Sequence, residues 1–129
     1  MSLKDYFENA TGVGILATAD ADGKVNVAVY ARPHFLDPED DDSPTFIMNE
    51  RLSYSNIQAN PKAAYMFVEE GPGYNGKRLH LTKTGEENDE ERIKQIKQQH
   101  SKAKDYDEKV RHLIYFTVDK IRPLVGDKT

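Results

Sequence analysis

The stretch NERLSYSNIQANPKAAYMFVEEGPGYNGKRLHL, from Asn49 to Leu81, decides the fold. Its centre, RLSYSNIQANP, reads as a helix of two to three turns. Leu52, Ile57 and either Ala59 or Tyr54 are expected toward the core. Asn60-Pro61 closes the helix, because a residue before proline is driven out of the helical region. KAAYMFVEE then reads as a strand, and GPGYNG as a loop with three glycines. KRLHLTKT is the next strand, with Leu79 and Leu81 on one face and His80 and Thr82 on the other.

Outward from this stretch the same alternation continues. Leu3, Tyr6, Phe7 and Ala10 recur at helical spacing, and Gly12 is the expected stop. Val13 to Thr18 reads as a strand. DADG is a turn with Asp22-Gly23 at its tip, a strong hairpin signal. Val25, Val27 and Val29 alternate with Asn26, Ala28 and Tyr30, the period of a strand. Pro33 cannot donate to a ladder, so that strand is expected to break or lie on an edge. DPEDDDSP is a loop by composition, and TFIMNE a short strand. GEENDEERIKQIKQQHSKAKDYDEK is expected to be helical in its first part. Ile93 and Ile96 are its large apolar anchors, with acids at its start and lysines at its end. A last strand is expected over about Leu113 to Val118, before a tail with Pro123 and Gly126. Helix, three strands, helix, two strands, helix, strand is the order of a small closed or half-closed barrel with added helices.

The 129 residues suit one domain, 1–129, with one core. The hydrophobic fraction of 37% and a mean hydropathy of −0.77 give little core material, so a partner copy could complete it. No apolar run reaches the roughly 20 residues of a membrane span. The polar, acidic N-terminus does not resemble a signal peptide. The expected location is cytoplasmic, with no membrane partner. The sequence has no cysteine, which excludes disulfides, iron–sulfur clusters and thiolate zinc sites. A net charge of −4 argues against general nucleic-acid binding. The acids gather in Asp37 to Asp42 and Gly85 to Glu91.

Two readings compete at the start of the central helix. Arg51 and Ser53 could bind a phosphate, since free N–H groups and the positive dipole end favour an anion there. The guanidinium would add a bidentate contact. Alternatively, they are a cap and a solvated arginine. Likewise YARPH, Tyr30 to His34, places an arginine and a histidine at a strand end, where they meet either ligand or solvent. GPGYNG is not a phosphate loop of the Walker or dinucleotide type, because it joins two strands. It is a wide hairpin loop or a close approach of backbone to a planar ligand. His34, His80, His100 and His112 lack metal-ligand spacing, so no metal site is expected. Asp40 to Asp42 lack the glycine and distal glutamate of a calcium loop.

GILATADADGKVNVAVYARPHF, TFIMNERLSYSNIQANPKAAYMFVEEGPGYNGKRLHLTK and, more loosely, YFTVDKIRPLVG resemble the FMN-binding split-barrel family related to pyridoxamine 5′-phosphate oxidase. The resemblance is to its short single-domain members and covers roughly Gly12 to Glu90. It implies a mainly β fold, a six-stranded antiparallel split barrel with peripheral helices. It implies a homodimer with FMN at the subunit interface. The phosphate would be held at Arg32, Asn49, Arg51 and Ser53, beside Leu52. The isoalloxazine would lie near Tyr30 and Ala31, and Gly73, Tyr74 and Arg78 could contact it from either chain. His34 is the one candidate acid or base, lying next to the phosphate strand.

The chain departs from the family twice. Larger oxidases carry Ser-Arg-Lys before this helix, whereas here Ser53 stands where the lysine falls. The chain also lacks the C-terminal segment that completes the substrate site, so vitamin B6 synthesis is not expected. The resemblance thus points to a flavoprotein, an oxidoreductase whose substrate, electron donor and acceptor stay open. Alternatives are a non-catalytic FMN carrier for electron transfer, or a dimeric interaction module that has lost the cofactor. Related barrels also use other flat cofactors, such as a deazaflavin or haem.

Overall fold

The computed structural model describes residues 2–37, 39–88, 90–100 and 111–126, with the side chains of 97–100 outside the description. The elements are α1 (Leu3–Asn9), β1 (Gly12–Ala19), β2 (Val25–Val29), β3 (Thr45–Asn49), α2 (Leu52–Ala59), β4 (Lys62–Glu69), β5 (Gly76–Glu87), α3 (Glu90–His100) and β6 (Arg111–Pro123). Their order is the one the alternation predicts. The six strands form one sheet in the order β2-β1-β4-β5-β6-β3. All neighbours are antiparallel. The sheet curls into a half-barrel, and its two edges, β2 and β3, come from opposite ends of the strand order. Helix α2 packs against β1, β2 and β3, so it bridges the gap between the edges. No helix among the described residues is long and apolar enough to cross a membrane.

Period-two alternation fills the inside of the curl. Leu16, Tyr65, Phe67, Leu79, Leu81, Ile114 and Phe116 face inward with Phe46 and Met48, and α1 adds Leu3 and Phe7. Leu79 and Leu81 are buried as expected. A second, smaller cluster lies on the other side of β6, where Ile93 and Ile96 cover Leu113. The two anchors of the third helix are therefore enough to dock it.

The hairpin turn is built as read. Asp20 accepts from the backbone N–H of Asp22 and Lys24, both at 2.9 Å, and Gly23 adopts φ 85°. Such a left-handed residue is strained for anything but glycine.

Several boundaries differ from the expectation. Helix α1 ends at Asn9 with Ala10 as its cap, and Gly12 instead opens β1. Gly85 to Glu87 do not start a helix, since they pair with Tyr115, Ile114 and Leu113 of β6 after a register shift. A waiting strand edge overrides the helix-forming acids there. β6 runs well past Val118 because β5 continues beside it to Lys77, opposite Pro123. The lysines expected at the end of the third helix, 102–109, lie outside the described residues. Leu52 was expected in the core but is 57% exposed, and the buried residues of α2 are Ser53, Asn56 and Ile57. An offset of one residue, from Leu52 to Ser53, brings polar side chains inward. Asn56 is satisfied there by donating to the buried Thr18 hydroxyl at 3.0 Å.

Part of the acidic loop has a structural task. The Asp41 carboxylate accepts from the backbone N–H of Leu3 at 2.8 Å and of Lys4 at 3.0 Å. Ser2 caps the same end through Asp5 N–H. Negative charge at a helix N-terminus is favourable. Asp41→Ala should therefore lower stability by about 1 kcal/mol, seen as a lower urea midpoint with an unchanged slope.

Candidate functional site

The valines of β2 do not face the core. Val25, Val27 and Val29 are 80%, 67% and 76% exposed, while Asn26, Ala28 and Tyr30 take the inner face. On β3, Phe46 and Met48 face the inner core, and Ile47 and Asn49 lie on the opposite face. Between these two sheet edges and the start of α2 lies a cleft of about 340 Å³. It is lined by Asn26, Ala28, Val29, Tyr30, Ala31, Ile47, Asn49, Arg51, Leu52 and Ser53. Six predicted site residues meet there, namely Tyr30, Ala31, Asn49, Arg51, Leu52 and Ser53.

Each is placed by a local cause. Arg51 is the N-cap residue of α2, and its backbone N–H donates to Asn49 O at 2.8 Å, which makes a tight elbow between β3 and α2. The Arg51 side chain makes no capping hydrogen bond to this helix. Ser53 is buried and shares a hydrogen bond with the Tyr30 phenol. Burial raises the Tyr30 pKa above its usual value, and the Ser53 contact and the Arg51 charge only partly offset this. Tyr30 therefore stays a neutral phenol at neutral pH. Its ring sits edge-on to Phe46, with centroids 6.2 Å apart.

The turn after β2 is fixed from beneath. The Tyr65 hydroxyl lies 3.2 Å from the carbonyl oxygens of both Tyr30 and Ala31. The Tyr65 ring is fully buried and reaches them by crossing over Gly14. Sequence reasoning did not find Tyr65 or Gly14 as supports of the site. Asn26 and Ala28 were missed too, although sharing the parity of Tyr30 was a usable signal.

The other five predicted residues do not line this cleft. Arg32 closes the end of α1, donating to Phe7 O at 3.0 Å and Ala10 O at 2.6 Å. His34 pairs through its backbone with Thr45, at 2.8 and 2.7 Å. Gly73 and Tyr74 are in the exposed β4–β5 loop, Gly73 with φ 83°. Arg78 donates to Pro123 O at 2.8 Å and to Gly126 O, which ties β5 to the end of β6. Among the described residues, no group of three or more His, Asp or Glu is placed to hold a metal ion.

Chemically, the cleft joins one polar end to apolar walls. Arg51, Ser53, Asn49 and the α2 N–H groups can hold an anion. Ala28, Val29, Ala31, Ile47 and Leu52 can lie against a flat apolar body. Arg51 is the one charged residue in the lining.

A family model described as pyridoxamine 5′-phosphate oxidase matches residues 4–124. No curated protein matches the sequence. Among solved structures, an FMN-binding protein from Syntrophomonas wolfei superposes with a TM-score of 0.80 at 17% identity, over 98% of this chain and 86% of that one. HupZ from Group A Streptococcus gives 0.73 at 22% identity, over 98% and 95%. An F420 reductase gives 0.72 at 15% identity, over 94% and 97%. At these identities the likeness is one of fold, and it confirms the split barrel.

Proposed function

The chain belongs to the pyridoxamine 5′-phosphate oxidase family, and from that premise we propose that it is an FMN-binding flavoprotein of the oxidoreductase type. The observation that carries this is the cleft between the sheet edges, which sets an arginine, a buried serine and a helix N-terminus beside apolar walls. The residues fit the cofactor. Arg51, Asn49, Ser53 and the first N–H groups of α2 would hold the phosphate, and Tyr30, Ala31 and Leu52 would flank the ring. Bound FMN would supply hydride or electron transfer, while the protein binds and orients it. Arg32, His34, Gly73, Tyr74 and Arg78 would reach flavin only from outside this cleft.

Two features support a homodimer with FMN near its interface. At about 340 Å³ the cleft lies at the low end of the roughly 300–1,000 Å³ of ligand sites, which leaves room for a second copy to extend it. The outer face of β2 also carries three exposed valines, continued by the half-exposed Val13 on β1. An apolar patch of this kind marks an interaction surface. Val27→Lys should convert the dimer to a monomer in sedimentation velocity, and an unchanged dimer would place the interface elsewhere. A cytoplasmic flavoprotein with an unspecified small substrate and electron donor is the reading we adopt.

The experiment is an equilibrium titration of the ligand-free chain with FMN and with riboflavin. FMN should bind at least about tenfold more tightly, since hydrogen bonds to a charged group contribute about 1.5–3 kcal/mol. Equal affinities would remove the phosphate site. One observation favours a second reading. Ser53 replaces the lysine of larger relatives and its hydroxyl is already engaged by Tyr30, which suits an interaction module without cofactor. Absence of binding to either flavin would select it. Turnover of NADH or NADPH then separates an enzyme from an electron carrier.

A further inference from the structure

A carboxylate from β5 holds the helix whose start forms the polar end of the cleft. Glu86 pairs with Ile114 of β6, a residue of the main core, so its side chain is on the inner face of the sheet. Plain alternation would not put it there. Leu79 and Leu81 face inward, and Lys83, opposite the buried Phe116, continues that parity. Gly85 would come next. Instead the register shifts between Lys83 and Gly85, so that Thr84 is the extra residue of a β-bulge and Glu86 takes the inner position. A bulge of this kind re-aims a side chain.

The re-aimed carboxylate meets α2. The Tyr54 hydroxyl and Gln58 Nε2, four residues apart and so on one side of the helix, each donate to Glu86 at 2.7 Å. From β5, Lys83 donates to the same group. Burial pushes the Glu86 pKa up, but the bonds from Lys83, Gln58 and Tyr54 outweigh it and hold it at about 2, so the carboxylate is charged. Polar groups hold α2 on the side of β1 and β2 as well. Ser53 shares a hydrogen bond with the Tyr30 phenol, and Asn56 donates to Thr18 at 3.0 Å. Of the three buried residues of α2, Ser53, Asn56 and Ile57, only Ile57 is apolar. Apolar burial is non-directional, and one apolar side chain does not fix the rotation of a helix. Hydrogen bonds on its two sides do. Tyr54 follows Ser53 directly, so a helix that turns away from β5 takes Ser53 and Arg51 with it.

We propose that Glu86 is a positioning residue for the cleft. Turned inward by the bulge, it clamps α2 through Tyr54 and Gln58 and so sets Arg51 and Ser53 for an anion. This rests on the reading of the β3–α2 elbow as the flavin phosphate site. Glu86, Tyr54 and Gln58 are not in the cleft lining, so they act on it through the helix.

The test cuts the clamp without changing a charge. Tyr54→Phe combined with Gln58→Met removes both donors from α2. It keeps the Glu86–Lys83 pair, and the ring that stacks on His112. Without ligand, the backbone amides of α2 should exchange with solvent at least about tenfold faster than in the wild type, and those of β4 at the same rate. With ligand, FMN should bind about three- to tenfold more weakly, because a charge-assisted bond to the phosphate is stretched rather than lost. Riboflavin affinity should stay within about twofold. A merely stabilising role for the two bonds would leave the ratio of the two affinities at its wild-type value. Gln58 is exposed, so Gln58→Met alone gives the same pattern at smaller amplitude where the double variant does not fold. Unchanged exchange across α2, or a wild-type ratio of FMN to riboflavin affinity, overturns this inference alone. Absence of FMN binding by the wild type overturns the flavin reading and this inference with it.

Discussion

Arg51→Ala lowers FMN affinity about 30-fold and leaves riboflavin affinity within about threefold; this is the expected result at the cleft. The guanidinium is the one charged group in the lining, so it carries the only full positive charge there. A hydrogen bond to a charged group contributes about 1.5–3 kcal/mol, and about 2 kcal/mol is 30-fold in affinity. The helix N-terminus and Ser53 remain in the variant, which is why binding is weakened rather than lost. Riboflavin lacks the phosphate and should not notice. Isothermal titration with both ligands reads the two numbers separately. An unchanged FMN affinity would place the phosphate away from α2.

Gly14→Ala should be strongly destabilising. A Cβ at Gly14 would lie 1.8 Å from the Tyr65 hydroxyl oxygen and 2.6 Å from Tyr30 O. Neither neighbour can step aside. The Tyr65 ring is 0% exposed, and its hydroxyl holds the carbonyls of Tyr30 and Ala31. Overpacking of a filled site costs about 1–3 kcal/mol, and this one belongs at the upper end. Urea denaturation measures it. The same shift would disturb the wall of the cleft at Tyr30 and Ala31, so FMN affinity should fall as well. Tyr65→Phe in the same chain removes the nearest clashing atom and should recover part of the loss, a coupling that a double-mutant cycle detects. Additive losses would mean that the two residues do not meet.

The sequence made the elements legible where periodicity and punctuation agreed. Asp22-Gly23 marked the hairpin, Asn60-Pro61 closed α2, and Leu79 with Leu81 gave the inner face of β5. Boundaries failed where a distant partner decided them. Gly85 to Glu87 look helical by composition, yet β6 offers a paired edge and they take it. Leu52 looked like a core residue because leucine usually is, and only the position of the cleft explains its exposure. The valines of β2 carried the right period but not the face, since alternation cannot say which side of a strand is inside.

The site was legible as far as it is local. Asn49, Arg51, Leu52 and Ser53 are neighbours in sequence and stay neighbours in space. Tyr30 and Ala31 join them because the sheet curls until its edges meet, which the resemblance implied and spacing alone did not. The supports were not visible. Tyr65 and Gly14 act across strands, through a register that one sequence does not display. Arg32 had the right chemistry for a phosphate, but its side chain bonds the carbonyls at the end of α1.

The measurement that tests the central claim most directly is a crystal structure of the chain grown with FMN. The expected density shows the phosphate at the β3–α2 elbow, within hydrogen-bond reach of Arg51 and Ser53, and the flavin ring between β2 and β3. Flavin bound elsewhere, or a phosphate turned away from this elbow, would contradict it.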